Sequence, residues 1–283
     1  MRNYLSLIKF SHTIFALPFA LIGYFIAIEY STFSFDAILL LKVLLCMVFA
    51  RSAAMAFNRY IDRDIDKAND RTAKIREIPN GSIKAKSALL FVIVNSALFV
   101  TTTFFINDIC FYLSPIALIV VLGYSLTKRF TALCHLVLGV GLSLAPIGAY
   151  LAVTGSFAWL PLYFSFAVLF WVAGFDMIYA LQDEEFDKKM GLSSIPAKIG
   201  RKATLNLSVL FHIITAGYLI AAADQASANL LFWIGTFIFI FLLLYQHLIV
   251  KPNDLSKVNI AFFTTNGIAS LIFSIFVILS FYL

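Results

Sequence analysis

Oxygen-bearing side chains recur at one spacing in two places. Asn58, Asp62 and Asp66 stand at i, i+4 and i+8 behind an apolar run. On a helix continuing out of a membrane they line one face. Tyr179, Asp183 and Asp187 repeat the spacing at the end of a second long apolar run. Carboxylates at that density repel one another unless cations sit between them. Mg²⁺, bound by a few carboxylates and by substrate phosphate oxygens, suits such a set better than an ion needing a closed protein cage.

Basic groups accompany both stripes. The loop from Lys67 to Gly81 carries Arg71, Lys74 and Arg76 among turn formers such as Asn80-Gly81. Beside carboxylates these read as a diphosphate clamp, although a solvated loop would look similar. Lys128 and Arg129 form an isolated basic pair, which topology marking is sufficient to explain and diphosphate contact would also suit. Arg51 lies seven residues before Asn58 on the same helical face. Arginine at that depth normally faces a partner or polar cavity, with snorkelling as the alternative. Asp176 shares a stripe with Tyr179, Asp183 and Asp187, and an intramembrane carboxylate is a functional candidate by default. His12 could meet a substrate headgroup or simply be solvated. His135, His212 and His247 are scattered singly and receive no role. Cys46, Cys110 and Cys134 show no paired spacing, so neither zinc nor a disulfide framework is indicated.

The elements that must position these groups are membrane helices. The chain is 61% hydrophobic and 13% charged with mean hydropathy +0.93, far from the soluble average. Apolar runs of bilayer-spanning length predict nine helices, at 10–28, 37–57, 87–106, 109–126, 132–153, 157–181, 203–223, 228–250 and 258–282. Arg2 and Lys9 anchor the first, which contains Pro18; the last three complete the bundle wall. With a cytoplasmic N-terminus, every Lys and Arg except Lys42 falls in cytoplasmic loops or adjoining helix ends. The positive-inside rule then puts both acidic stripes in the cytoplasm and the C-terminus outside. The net charge of +6 therefore requires no nucleic acid; a membrane surface and an anionic substrate account for it. Ile78-Pro79 and Ile195-Pro196 follow the two stripes in similar positions, a weak duplication suggesting two halves across one site. A cation-coupled transporter is the rival class, but its carboxylates would sit near the midplane rather than at helix mouths.

Together these residues resemble the UbiA superfamily of intramembrane prenyltransferases. Its signatures are an Asn-x-x-x-Asp-x-x-x-Asp run after helix 2 and an Asp-x-x-x-Asp run after helix 6. The likeness spans the chain as one domain, 1–283, and includes Arg51, Arg71-Thr72, Lys128-Arg129 and the segment from Gly174 to Ala180. It is strongest to the 4-hydroxybenzoate polyprenyltransferase branch, including relatives assigned to menaquinone synthesis by the futalosine route. The resemblance implies an all-α integral membrane bundle of nine transmembrane helices, with a central cavity and cytoplasmic cap loops, in a bacterial inner (plasma) membrane. It implies Mg²⁺ held by Asn58, Asp62, Asp66, Asp183 and Asp187, and polyprenyl diphosphate bound with help from Arg71, Lys128, Arg129 and Tyr179. Asp66, Asp183 and Asp176 are the candidate catalytic residues, and Arg51 is a candidate substrate contact. The reaction implied is prenylation of a ring carbon of a small aromatic acid such as 4-hydroxybenzoate, for ubiquinone or menaquinone, with aromatic walls shielding an allylic cation. Two positions depart from the pattern. Arg59 stands where many members have Asp, and Glu77 where Pro is frequent, which unsettles the correspondence of Lys74 and Arg76.

Overall fold

The computed structural model describes residues 2–9, 13 and 15–283. His12, expected near a headgroup, lies outside the described residues, as does the side chain of Arg2. The chain is helical, with no β-strand among the described residues. Short α1 (Arg2–Leu7) and apolar α2 (Leu17–Glu29) precede the long α3 (Ala37–Ile61). Short α4 (Arg63–Ala68) and α5 (Asp70–Ala73) follow, then α6 (Ala85–Phe104), α7 (Asp108–Thr127), α8 (Cys134–Thr154) and α9 (Trp159–Ala180). After short α10 (Glu184–Lys189) come α11 (Ile195–Gln225), α12 (Leu230–Ile249) and α13 (Asn266–Ser280). Among the described residues, eight segments are long and apolar enough to cross a membrane, and α2 is a further, shorter apolar helix. Eight of the nine expected runs are long helices; the first, expected at 10–28, is helical from Leu17, residues 10–12 and 14 lying outside the described residues, and the protein is an integral membrane protein.

Several boundaries differ from the sequence expectation for local reasons. Pro18 is not inside a membrane helix but in the first turn of α2, where its missing N–H would have had no intrahelical partner. α3 runs to Ile61, so Asn58 is still helical. α11 begins at Ile195 rather than 203, because the Ser194 side chain accepts from the Ala197 N–H and Pro196 occupies the first turn. Gly200, at φ 76°, then breaks the helix before it resumes.

α9 is the most enclosed spanning helix, packed between α8 and α11. At Gly139 of α8 an added Cβ would lie 2.3 Å from the Leu169 carbonyl oxygen of α9, so only glycine permits this approach. Buried aromatics, including Trp171, Phe19, Phe164, Phe239 and Phe273, fill the centre. A π-turn at Ile260–Thr265 leads into α13. The Asn266 amide donates to the Ala261 and Phe262 carbonyls at 2.9 and 3.0 Å, and accepts from Trp171 Nε1 at 2.8 Å. The loosened carbonyls are thereby satisfied, as such turns require in an apolar interior.

Candidate active site

Both acidic stripes survive interruptions in their helices. α3 ends at Ile61 with Asp62 as its C-cap, yet the Asp62 N–H still reaches Asn58 O at 2.9 Å and the Asp66 N–H reaches Asp62 O at 2.7 Å. Asn58, Asp62 and Asp66 therefore remain on one face. A single 3₁₀ turn, Leu181–Asp183, separates α9 from α10, and Asp176, Tyr179, Asp183 and Asp187 all face the same cavity. Glu184 takes Lys188 at 2.6 Å and Arg201 at 2.7 Å, pinning α10 to α11.

The cavity has a volume of about 430 Å³ and is charged at the mouth and aromatic below. At the mouth each Asp of the two stripes holds a different cation. Arg71 forks onto Asp183, with Nε donating to Oδ1 at 3.1 Å and Nη2 to Oδ2, while Nη1 donates to the Tyr179 hydroxyl at 3.2 Å. Arg76 donates to Asp66 at 2.9 Å and Arg129 to Asp62 at 2.8 Å; Lys128 Nζ lies 3.0 Å from Asp187 Oδ1. Asn58 donates to Asp62 at 3.1 Å and Asn69 to Asp183 at 3.1 Å. Asp62, Asp66 and Asp187 are buried. For such pairs desolvation offsets most of the Coulomb gain, so exchanging partners carries a small net cost. The doubtful Arg76 thus lies at the acidic cluster. Arg59 is buried beside Asn58, donating to its Oδ1 at 3.1 Å, with Nε lacking a partner among the described residues.

Burial pushes the Asp62 carboxyl upward despite Arg129 and Lys128, and raises Asp66 to about 7. Burial also works against the charge on Lys128, but Asp187, Asp183 and Asp62 hold its ammonium above the usual range. The mouth therefore has carboxylates that gain from an added cation. Among the described residues no three His, Cys, Asp or Glu side chains converge on one point. The donors nevertheless fit a hard cation: Asn58, Asp62, Asp66, Asp183 and Asp187 offer only oxygens or an amide. Asp187 Oδ1, near Lys128 but outside hydrogen-bond geometry, is a buried carboxylate oxygen without an aligned donor.

Deeper in the cavity, Phe15, Phe175 and Phe262 join Tyr179 as an aromatic wall. The Phe262 ring lies tilted against Tyr179, centroids 4.2 Å apart, and contacts both Phe15 and Phe175, carried there by the π-turn. Arg51 faces this chamber, its Nε donating to Thr13 Oγ1 and Nη2 to Lys9 O, each at 3.1 Å. It does not pair with Asp176. That carboxylate instead meets His135 Nδ1 at 2.7 Å. His135 and Phe262 were not distinguishable in the sequence: one is a lone histidine, the other one of thirty phenylalanines.

The UbiA prenyltransferase family matches residues 16–268. The chain belongs to that family. A 4-hydroxybenzoate octaprenyltransferase of Shewanella sp. (strain W3-18-1) is 30% identical over 232 residues, covering 82% of this chain and 80% of the relative. The apo structure of a UbiA homologue from Aeropyrum pernix K1 is 29% identical with a TM-score of 0.85, covering 95% of this chain and 97% of its own. A UbiA homologue from Archaeoglobus fulgidus bound to GPP and Mg²⁺ has the same fold, with a TM-score of 0.75 at 23% identity, covering 99% of this chain and 100% of its own. This UbiA protein is thus a membrane prenyltransferase.

Proposed function

We propose that this chain transfers a polyprenyl group from polyprenyl diphosphate to a ring carbon of a small aromatic acid, 4-hydroxybenzoate in the first instance, for quinone biosynthesis. The observation carrying this reading is one cavity lined by Arg/Lys–Asp pairs and by aromatic rings. Arg71, Lys128 and Arg129 turn from their carboxylates to the diphosphate when it enters. Asp183, Asp187 and Asp62 so freed, together with Asn58 and with Asp66, which Arg76 holds, would bind Mg²⁺; the Archaeoglobus neighbour of the same fold is a structure bound to GPP and Mg²⁺. Bound there, Mg²⁺ supplies Lewis-acid neutralisation of the leaving diphosphate. Phe15, Phe175, Phe262 and Tyr179 exclude water and present ring faces to the allylic cation. Arg51 binds the acceptor carboxylate and aims its nucleophilic carbon upward. Asp176 accepts the ring proton.

The test is an assay of purified protein in lipid with Mg²⁺, geranyl or longer diphosphates, and 4-hydroxybenzoate or a futalosine-route menaquinone precursor as acceptor. The expected outcome is a ring-prenylated product identified by mass; diphosphate consumption without one refutes the reading. We further propose a cytoplasmic N-terminus and an external C-terminus in a bacterial inner membrane, from the charge asymmetry. Cysteines replacing Asn69 and Lys188 should resist externally added impermeant thiol reagents in intact cells, and labelling of either overturns the orientation.

A further inference from the structure

We infer that His135 is a positioning residue: it holds the Asp176 carboxylate in the orientation from which it removes the ring proton, an inference resting on the aromatic transfer proposed above. His135 is only 3% exposed. The backbone N–H of Ile195 approaches its Nε2 at 3.4 Å, which assigns the ring proton to Nδ1 and makes that nitrogen the donor to Asp176 Oδ2 at 2.7 Å. The imidazole is thus gripped from both sides, between the start of α11 and the C-terminal part of α9. The contact depends on the close passage of α8 along α9 at Gly139, one turn beyond His135.

With Oδ2 held, Asp176 keeps Oδ1 free of other partners among the described residues, and the side chain lines the cavity with Arg51, Phe175 and Phe262. Asp176 precedes Asp183 by seven residues, roughly 10 Å along a helix, so it lies below the diphosphate end where the new carbon–carbon bond would form. In the step, the C1–O bond of the prenyl diphosphate breaks with its electron pair leaving on diphosphate, and a ring carbon bonds to C1. The proton of that ring carbon then passes to Asp176 Oδ1, and the C–H electron pair restores the aromatic ring. Without a fixed donor the carboxylate could rotate away from the substrate. A base that must meet a ring proton within hydrogen-bond reach loses most from such freedom.

A purely structural role would have His135 supporting Ile195, with Asp176 as its incidental partner. Two amide substitutions separate these roles. His135→Asn places a donor near the Nδ1 position, whereas His135→Gln reaches the Nε2 position and abandons Asp176. Both are compared with wild type and Asp176→Asn, using acceptor with hydrogen or deuterium at the prenylated carbon. The expected result is near wild-type turnover for His135→Asn. For His135→Gln, kcat should fall by ~10²-fold with the KM for prenyl diphosphate unchanged. A primary isotope effect should emerge in His135→Gln as proton removal becomes rate-limiting. Rescue by Gln and not Asn, or equal behaviour of the two, overturns the inference, as does lost turnover without an isotope effect. A wild-type protein that prenylates no aromatic ring removes the functional reading itself, and this inference with it.

Discussion

Arg51→Lys is the sharpest test of how the acceptor is held. Arg51 lies seven residues before Asn58, about 10 Å deeper at the helical rise, below the carboxylates that would serve the diphosphate. Its guanidinium is fixed by two contacts, to Thr13 Oγ1 and to the Lys9 carbonyl. The remaining N–H groups form a planar edge that a substrate carboxylate can meet. A lysine ammonium keeps the charge but cannot hold both existing contacts and still offer a fork. Losing one hydrogen bond to a charged group costs about 1.5–3 kcal/mol. At about 1.4 kcal/mol per tenfold, the acceptor KM should therefore rise roughly 10- to 100-fold. The KM for prenyl diphosphate should barely move, because the cations at the mouth are untouched. Initial rates of purified protein in lipid, with each substrate varied against saturating partner, measure both constants. A raised diphosphate KM with an unchanged acceptor KM would refute the carboxylate role and place Arg51 in the leaving-group site.

At the mouth, Asp66→Asn and Asp183→Asn should each lower turnover by ~10²-fold or more in a folded protein. Near wild-type rates at saturating Mg²⁺ in both would dismiss the metal assignment. Burial pushes Asp66 up to about 7, with Asp62 and Asp183 adding to the effect. A protonated carboxyl cannot ligate, so Mg²⁺ affinity measured by calorimetry should level off at about pH 8 and fall as pH drops through 7, by up to ~tenfold per unit. Affinity constant across that range argues against Asp66 as a ligand. Gly139→Ala should drive a methyl into the Leu169 carbonyl, lowering stability by about 1–3 kcal/mol and shifting α8 from α9. A thermal unfolding midpoint equal to wild type would show that the close approach is not needed.

What the chain determines by itself is what depends on near neighbours. Run length against bilayer thickness placed the eight long apolar helices, with α2 shorter than its expected run, and the i, i+4, i+8 spacing placed two oxygen-rich faces. The position of Lys and Arg relative to those runs placed the basic groups beside them. Local rules also governed details that a hydropathy reading passes over, such as Pro18 in a first turn and the earlier start of α11 at Ser194. Tertiary structure alone decided which charge meets which. Arg71 and Asp183 are far apart in sequence, and nothing in the spacing of either pairs them. Arg51 faces Thr13 rather than Asp176, and His135 takes that carboxylate where α8 passes close to α9. Phe262 becomes part of the wall only because a π-turn, held by Asn266, rotates it onto Tyr179. Hydropathy and helical period report the environment each residue needs, whereas these contacts depend on the separation and rotation of packed helices, which no single helix encodes.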